Sequence, residues 1–349
     1  MLYDTIQEAA LIERKFGFPR GLMVWKVASA IRAAPKYVLS ETVARMINTV
    51  AEKGPASLYA GLPICVMPHD RIWVEMRYDH MLKVLTEIGI RFHEIEGTSN
   101  PVNIGYLLEQ AGDDHIIVTV AWDHKLENLS PEGRKRLERE GMDRHVMIST
   151  LSVGFDVSAD VEVTEEDIRK EVEAGHEKDP GSWVGRFRQM KDFQASASFM
   201  KRIRADVSPY TEDYVDMILR GKINYPGGWK QLEAESLHDI GGEWRRALAI
   251  LMVFNSKTAV EYVEQDRSKL SKARVRKGKL PTDNYKLVNM YLTKVQRNRL
   301  MTSGVKMADL AKHMVGAHFK VRKTGVFLWS AHVRGYVGEV KVPEKFVKE

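Results

Sequence analysis

The chain has 349 residues, 44% of them hydrophobic, which is enough for one large cored domain or two smaller ones. Its single cysteine, Cys65, excludes an internal disulfide and a cysteine-based zinc cluster. The longest apolar run, Ala247 to Phe254, is far below the roughly 20 residues that cross a bilayer, and Met1 to Arg20 mixes charges where a signal peptide is apolar. The expectation is a cytoplasmic protein without a membrane partner.

From Leu2 to Lys53 the spacing predicts helices, with Ser40 as a cap before Glu41-Thr-Val-Ala-Arg-Met-Ile and turn chemistry at Phe16-Gly-Phe-Pro-Arg-Gly. Strands and helices then alternate. Ile72 to Tyr78 reads as a half-buried strand, Tyr78 to Ile88 as a helix, Arg91 to Ile95 as a strand and Pro101 to Gln110 as a helix. The β-branched run His115 to Trp122 predicts a buried strand, and Val146 to Asp156 another. Thr164 followed by Glu165, Glu166 and Asp167 marks a helix start, and polar helices are expected to about Gly221.

Asn224-Tyr-Pro-Gly-Gly is a break. It divides the chain into a mixed region, 1–222, with a helical middle, and a basic C-terminal unit, 223–349. In that unit Glu243 to Phe254 predicts a helix packed beneath a sheet, and Thr258 to Glu264 and Tyr285 to Leu292 predict strands. Between these strands, the tract Arg267 to Lys279 has seven cations and too few large apolar residues to be core. His318 to Arg322, Val326 to Ser330 and Val333 to Val340 predict three short antiparallel strands, with a turn at Thr324-Gly325. The fold class is α+β.

The net charge of +6 conceals a division. Between Arg267 and Arg334 stand 17 Lys or Arg and two acids, Asp283 and Asp309, so this segment carries +15 and the remainder −9. Such asymmetry favours a polyanionic partner, because neutralising phosphates releases condensed counterions. The bland alternative is a solvated basic face. The binding candidates are Lys272, Arg274, Arg276, Lys277, Lys279, Arg322, Lys323 and Trp329. RNA is slightly favoured over DNA: no major-groove recognition helix is evident, and Trp329 and Tyr336 suit stacking on unpaired bases.

Residues two apart on a strand share a face, which groups His318 with Lys320 and Arg322, and His332 with Arg334. Two histidines with cations match metal-free RNA cleavage: one imidazole takes the 2′-hydroxyl proton, the other protonates the leaving oxygen, and Lys320 and Arg334 stabilise the phosphorane. The pattern resembles the small antiparallel-sheet endoribonucleases of the barnase and RelE type. Across Ala247 to Gly338, the apolar helix, Arg276-Lys-Gly-Lys-Leu-Pro, Gly316-Ala-His-Phe-Lys-Val-Arg-Lys and Trp329-Ser-Ala-His-Val-Arg-Gly also resemble the C-terminal module of bacteriophage and prophage proteins without an assigned activity. That likeness implies a phage setting and, if phage-encoded, a host cytoplasm. Ala317 stands where the group would place an arginine beside glycine.

No cofactor is expected. His313, His318 and His332 lack the tight spacing and the acid that complete a zinc shell. A further alternative is a metal-dependent nuclease built on Asp123-His124-Lys125 with Glu75 or Asp79, and a non-enzymatic regulator that binds a host protein is another. His69-Asp70, next to Trp73 and Glu75, is a further candidate for which a surface turn is the bland alternative. Phosphate-loop and dinucleotide signatures are absent.

Overall fold

A nine-stranded mixed sheet organises the computed structural model, which describes residues 1–15, 19–51, 55–79, 101–128, 131–139, 142–157, 161–170, 190–256, 259–291, 318–322 and 325–329. The helices are α1 (Leu2–Lys15), α2 (Pro19–Ala33), α3 (Glu41–Ala51), α4 (Pro55–Gly61), α5 (Pro131–Arg139), α6 (Met190–Arg202), α7 (Glu212–Leu219), α8 (Gly228–Ile240), α9 (Glu243–Asn255) and α10 (Ser268–Arg276). The strands are β1 (Lys36–Leu39), β2 (Arg71–Arg77), β3 (Asn103–Gln110), β4 (His115–Lys125), β5 (Arg144–Ile148), β6 (Leu151–Asp156), β7 (Ile203–Val207), β8 (Val260–Gln265) and β9 (Tyr285–Met290), with β10 (His318–Arg322) and β11 (Gly325–Trp329) as a separate hairpin. The class is α+β.

Strand order is β7-β6-β4-β3-β2-β1-β9-β8, and β5 also pairs β4. Only β1 runs parallel to its neighbours, β2 and β9; the other pairs are antiparallel. Residues on both sides of position 222 share this sheet, because β8 and β9 extend it beyond β1. They also share its core, which α9 fills together with α3 and the central strands.

Helices cover both faces. Ile72, Val74 and Met76 face the α3 and α9 side, whereas Trp73 and Leu107 meet α1 and α2. That is why β2 is buried on both faces and does not alternate between core and solvent as expected. The predicted helix at Pro101 to Gln110 is instead β3. Ile104, Tyr106 and Leu108 face one core and Leu107 the other, so a strand buried twice reads as an unbroken apolar run. Gly105 is part of that logic: a Cβ there would lie 2.1 Å from the Trp73 ring, which occupies the space.

β1 interrupts the region expected to be wholly helical, and four residues are too few to show a period. Ser40 precedes α3, yet its hydroxyl has no hydrogen-bond partner among the described residues. The strand expected over Val146 to Asp156 is split into β5 and β6, and β7 interrupts the polar helices of the middle. The expected helix start at Thr164 is present as a reciprocal box: the Thr164 N–H donates to Asp167 Oδ2 at 2.8 Å, and the Asp167 N–H donates to Thr164 Oγ1 at 3.3 Å. Asp167 lies well below the usual carboxylate range because Lys201, then Thr164, stabilise its charge. The elements expected at Tyr78 to Ile88 and Arg91 to Ile95 lie, apart from Tyr78 and Asp79, outside the described residues, as does Val333 to Val340.

At the Pro-Gly-Gly break, Gly227 and Gly228 have φ of 76° and 65°, a turn that side chains disfavour and that opens α8. Among the described residues no helix is long and apolar enough to cross a membrane.

Candidate nucleic-acid interface

The basic tract folds as α10, a nine-residue helix with no buried residue. Local chemistry starts and stops it. Asp266 accepts the Ser268 N–H at 2.8 Å and the Ser268 hydroxyl at 3.0 Å, and these bonds hold its carboxyl below the ordinary range. At the other end Gly278 takes φ of 69°, which lets the Lys279 N–H return to the Arg274 carbonyl at 3.0 Å.

One face of α10 is tied to the body. Arg267, which precedes the helix, pairs with Asp4 of α1 at 3.0 Å. One turn along, Ser271 Oγ accepts the Thr282 N–H at 3.2 Å. Arg274 reaches Glu8 of α1 at 2.5 Å and donates to the Leu280 carbonyl at 2.9 Å. Positions 267, 271 and 274 thus form an anchoring stripe at helical spacing.

The opposite stripe is Lys269, Lys272 and Arg276, all exposed, continued by exposed Lys277 and Lys279. None of the five makes an ion pair with a described residue. Arg274 differs from the other candidates in this tract: its guanidinium holds the helix down and is not displayed. Its partner, Glu8, lies 266 residues away, beyond any local sequence pattern.

In the hairpin, His318 stands opposite Trp329, Lys320 opposite Phe327 and Arg322 opposite Gly325. This register brings His318 and Trp329 together as backbone neighbours. His332, Arg334 and Lys323 lie outside the described residues.

The alternative built on Asp123 meets a different geometry. Asp123 is buried, and its oxygens accept from the Asn103 N–H at 2.8 Å, Asn103 Nδ2 at 3.0 Å and Arg144 at 2.7 Å. Lys125 points to Glu127 and Asp79 to Arg77. Glu75 is buried elsewhere, accepting from the Tyr3 N–H and from Trp73 Nε1, each at 3.1 Å; burial pushes its pKa up. No group of three His, Cys, Asp or Glu stands close enough to hold a metal ion among the described residues. His69 and Asp70 are exposed.

Two arrangements carried no sequence signal strong enough to single them out. His115 and Asp156 open β4 and close β6 and meet at 2.6 Å across the two strands. Gly154 leaves room for the ring, since a Cβ there would lie 2.7 Å from Nε2. Lys36 is buried at the end of α2, where desolvation lowers its pKa. Perturbed lysines often mark active sites. This one donates to the Arg32 and Ala34 carbonyls and pairs with Asp283 at 3.1 Å, so its ammonium is used in tying the end of α2 and the start of β1 to the Asp283 segment. Cys65 is buried, and desolvation raises its thiol pKa far above the range of a nucleophile.

Comparison with protein families, with curated proteins and with solved structures finds no match to this chain.

Proposed function

We propose that the protein binds nucleic acid through the outward stripe of α10, with single-stranded RNA as the preferred class. One observation carries the reading: a helix that buries nothing is nevertheless anchored by Arg267 and Arg274 and presents five other cations, none in an ion pair with a described residue. The two arginine anchors, the Asp266 bonds and the Gly278 turn hold the exposed stripe in one conformation, which supports display to a partner. Rigid display lowers the ordering cost of each phosphate contact. The hairpin cations Lys320 and Arg322 belong to the same basic segment and extend the proposal, with Trp329 as a stacking group.

The test is retardation of labelled single-stranded RNA and DNA between about 0.05 and 0.2 M salt, where phosphate binding weakens steeply. Lys272→Gln/Arg276→Gln/Lys277→Gln is expected to reduce affinity at least tenfold. Unchanged affinity overturns the assignment of the stripe, and absence of binding to either polymer transfers the proposal to a protein partner. Scoring cleavage in EDTA in the same assay tests the acid and base roles proposed for His318 and His332: His318→Ala should abolish cutting and leave retardation nearly intact.

A further inference from the structure

On the opposite face of the sheet from α1, a cavity of about 440 Å³ opens between α4, the β3–β4 turn and the end of α6. Its size falls in the range of roughly 300–1,000 Å³ typical of small-molecule sites. The floor is apolar, formed by Leu62, Ile116 and Val157, and Tyr59 supplies an aromatic wall.

Its charges are arranged in an unusual way. Arg202, 7% exposed, lines the cavity. Its Nε donates to Ser198 Oγ at 3.1 Å and its Nη1 to the Asp156 and Val157 carbonyls at 3.3 Å each, while its Nη2 bonds to no described residue. The guanidinium carbon lies 5.9 Å from the Tyr59 ring centre. Nη2 is not among the buried unsatisfied side-chain atoms, so it is open to an acceptor from outside the protein.

Asp113 and Asp114 also line the cavity, on the exposed β3–β4 turn, and neither forms an ion pair with Arg202 or with any other described residue. The turn that carries them is preset. Gly112 takes φ of 86°, Gln110 Nε2 donates to the Gly112 carbonyl at 2.9 Å and the Asp113 carbonyl at 2.6 Å, and the Val157 N–H reaches the Asp114 carbonyl at 2.9 Å. One anchored cation and two exposed carboxylates on a backbone-held turn, unpaired with each other, therefore line one cavity. Cys65, also on the wall, has its thiol directed to the Gly61 and Leu248 carbonyls and not into the cavity.

We infer that this cavity is a binding site for a small zwitterion with an apolar body, whose carboxylate meets Arg202 Nη2 and whose ammonium meets Asp113 and Asp114. Neither a simple anion nor a simple cation satisfies both walls. Zwitterion binding rests on the cavity alone and not on the stripe of α10, which is tied to α1 across the sheet.

The experiment is calorimetric titration of the full chain with 6-aminohexanoate and phenylalanine, against hexanoate and hexylamine as controls with one charge each. At least one zwitterion is expected to bind tenfold or more tightly than both controls. Asp113→Asn/Asp114→Asn, on an exposed turn, should reduce that zwitterion to the affinity of hexanoate, and Arg202→Gln should reduce it to the affinity of hexylamine. Since Arg202 also holds two carbonyls, its variant is read only alongside the aspartate variant, which leaves the core untouched. Absence of zwitterion binding, equal affinity for zwitterion and controls, or binding indifferent to the Asp113/Asp114 change overturns the inference.

Discussion

Helices α9 and α10 are separated by twelve residues and are held by opposite means. Of the thirteen residues in α9, eleven are buried, and the helix is apolar nearly all round because it lies under the sheet with α3 beside it. Two of its three charges pair internally: Glu243 accepts from Arg246 at 2.5 Å and from Tyr106 at 2.5 Å, and Arg246 Nε reaches Asn48 at 3.0 Å, while Arg245 lies over the Trp244 ring. α10 buries no residue and relies on two arginines and two caps. The Glu243–Arg246 pair of the first helix is closed within the protein, whereas Lys269, Lys272 and Arg276 of the second are exposed to an outside partner.

The sharpest way to break the comparison is to orphan a charge in the buried helix. Arg246→Ala leaves Glu243 buried beside Tyr106 without its cation and is expected to cost about 3–5 kcal/mol. Leu251→Ala, at a fully buried position, should cost about 2–5 kcal/mol through lost burial and a residual cavity. Both are read from urea unfolding curves; a change below about 1 kcal/mol in either would remove α9 from the core.

Tyr106→Phe tests the same network through pH. Burial, then the Glu243 charge, raises the Tyr106 pKa well above 10, so the folded protein keeps a proton that the unfolded chain releases. The stabilisation it brings is complete below pH 10 and is lost as pH climbs above it. The phenylalanine variant is expected to be less stable by about 1–3 kcal/mol at neutral pH, because Glu243 loses a donor, and to show a flatter loss of stability above pH 10. An unchanged alkaline slope would mean that another group dominates there.

The two helices also mark what was legible in the sequence. α9 was legible because no polar period interrupts Ala247 to Phe254, and the tract of α10 was recognised as surface for want of apolar residues. Asp167 three residues after Thr164 was readable as a helix start, since both partners are local. Legibility failed where the deciding partner is distant. β3 passed for a helix because β2, β4 and two helical layers bury both its faces. Arg274 passed for a phosphate ligand because Glu8 lies at the other end of the chain. The cavity beneath Arg202 is assembled from separate segments around positions 59–67, 110–116, 157 and 202, and no window of sequence contains it.

Smaller effects belong to α10 and separate its two faces. Arg274→Gln removes the bond to Glu8 and weakens that to the Leu280 carbonyl; the pair is only partly buried, so the cost should be about 1 kcal/mol. The outward triple, Lys272→Gln/Arg276→Gln/Lys277→Gln, should stay within about 0.5 kcal/mol of the parent because these side chains touch nothing that folding requires. It should nevertheless reduce the dependence of log affinity on log salt by about 2 for a single strand, at roughly 0.7 for each phosphate that is no longer neutralised. A triple variant that loses stability and keeps its salt dependence would reverse the two faces, making the outward cations structural and Arg274 the exposed ligand.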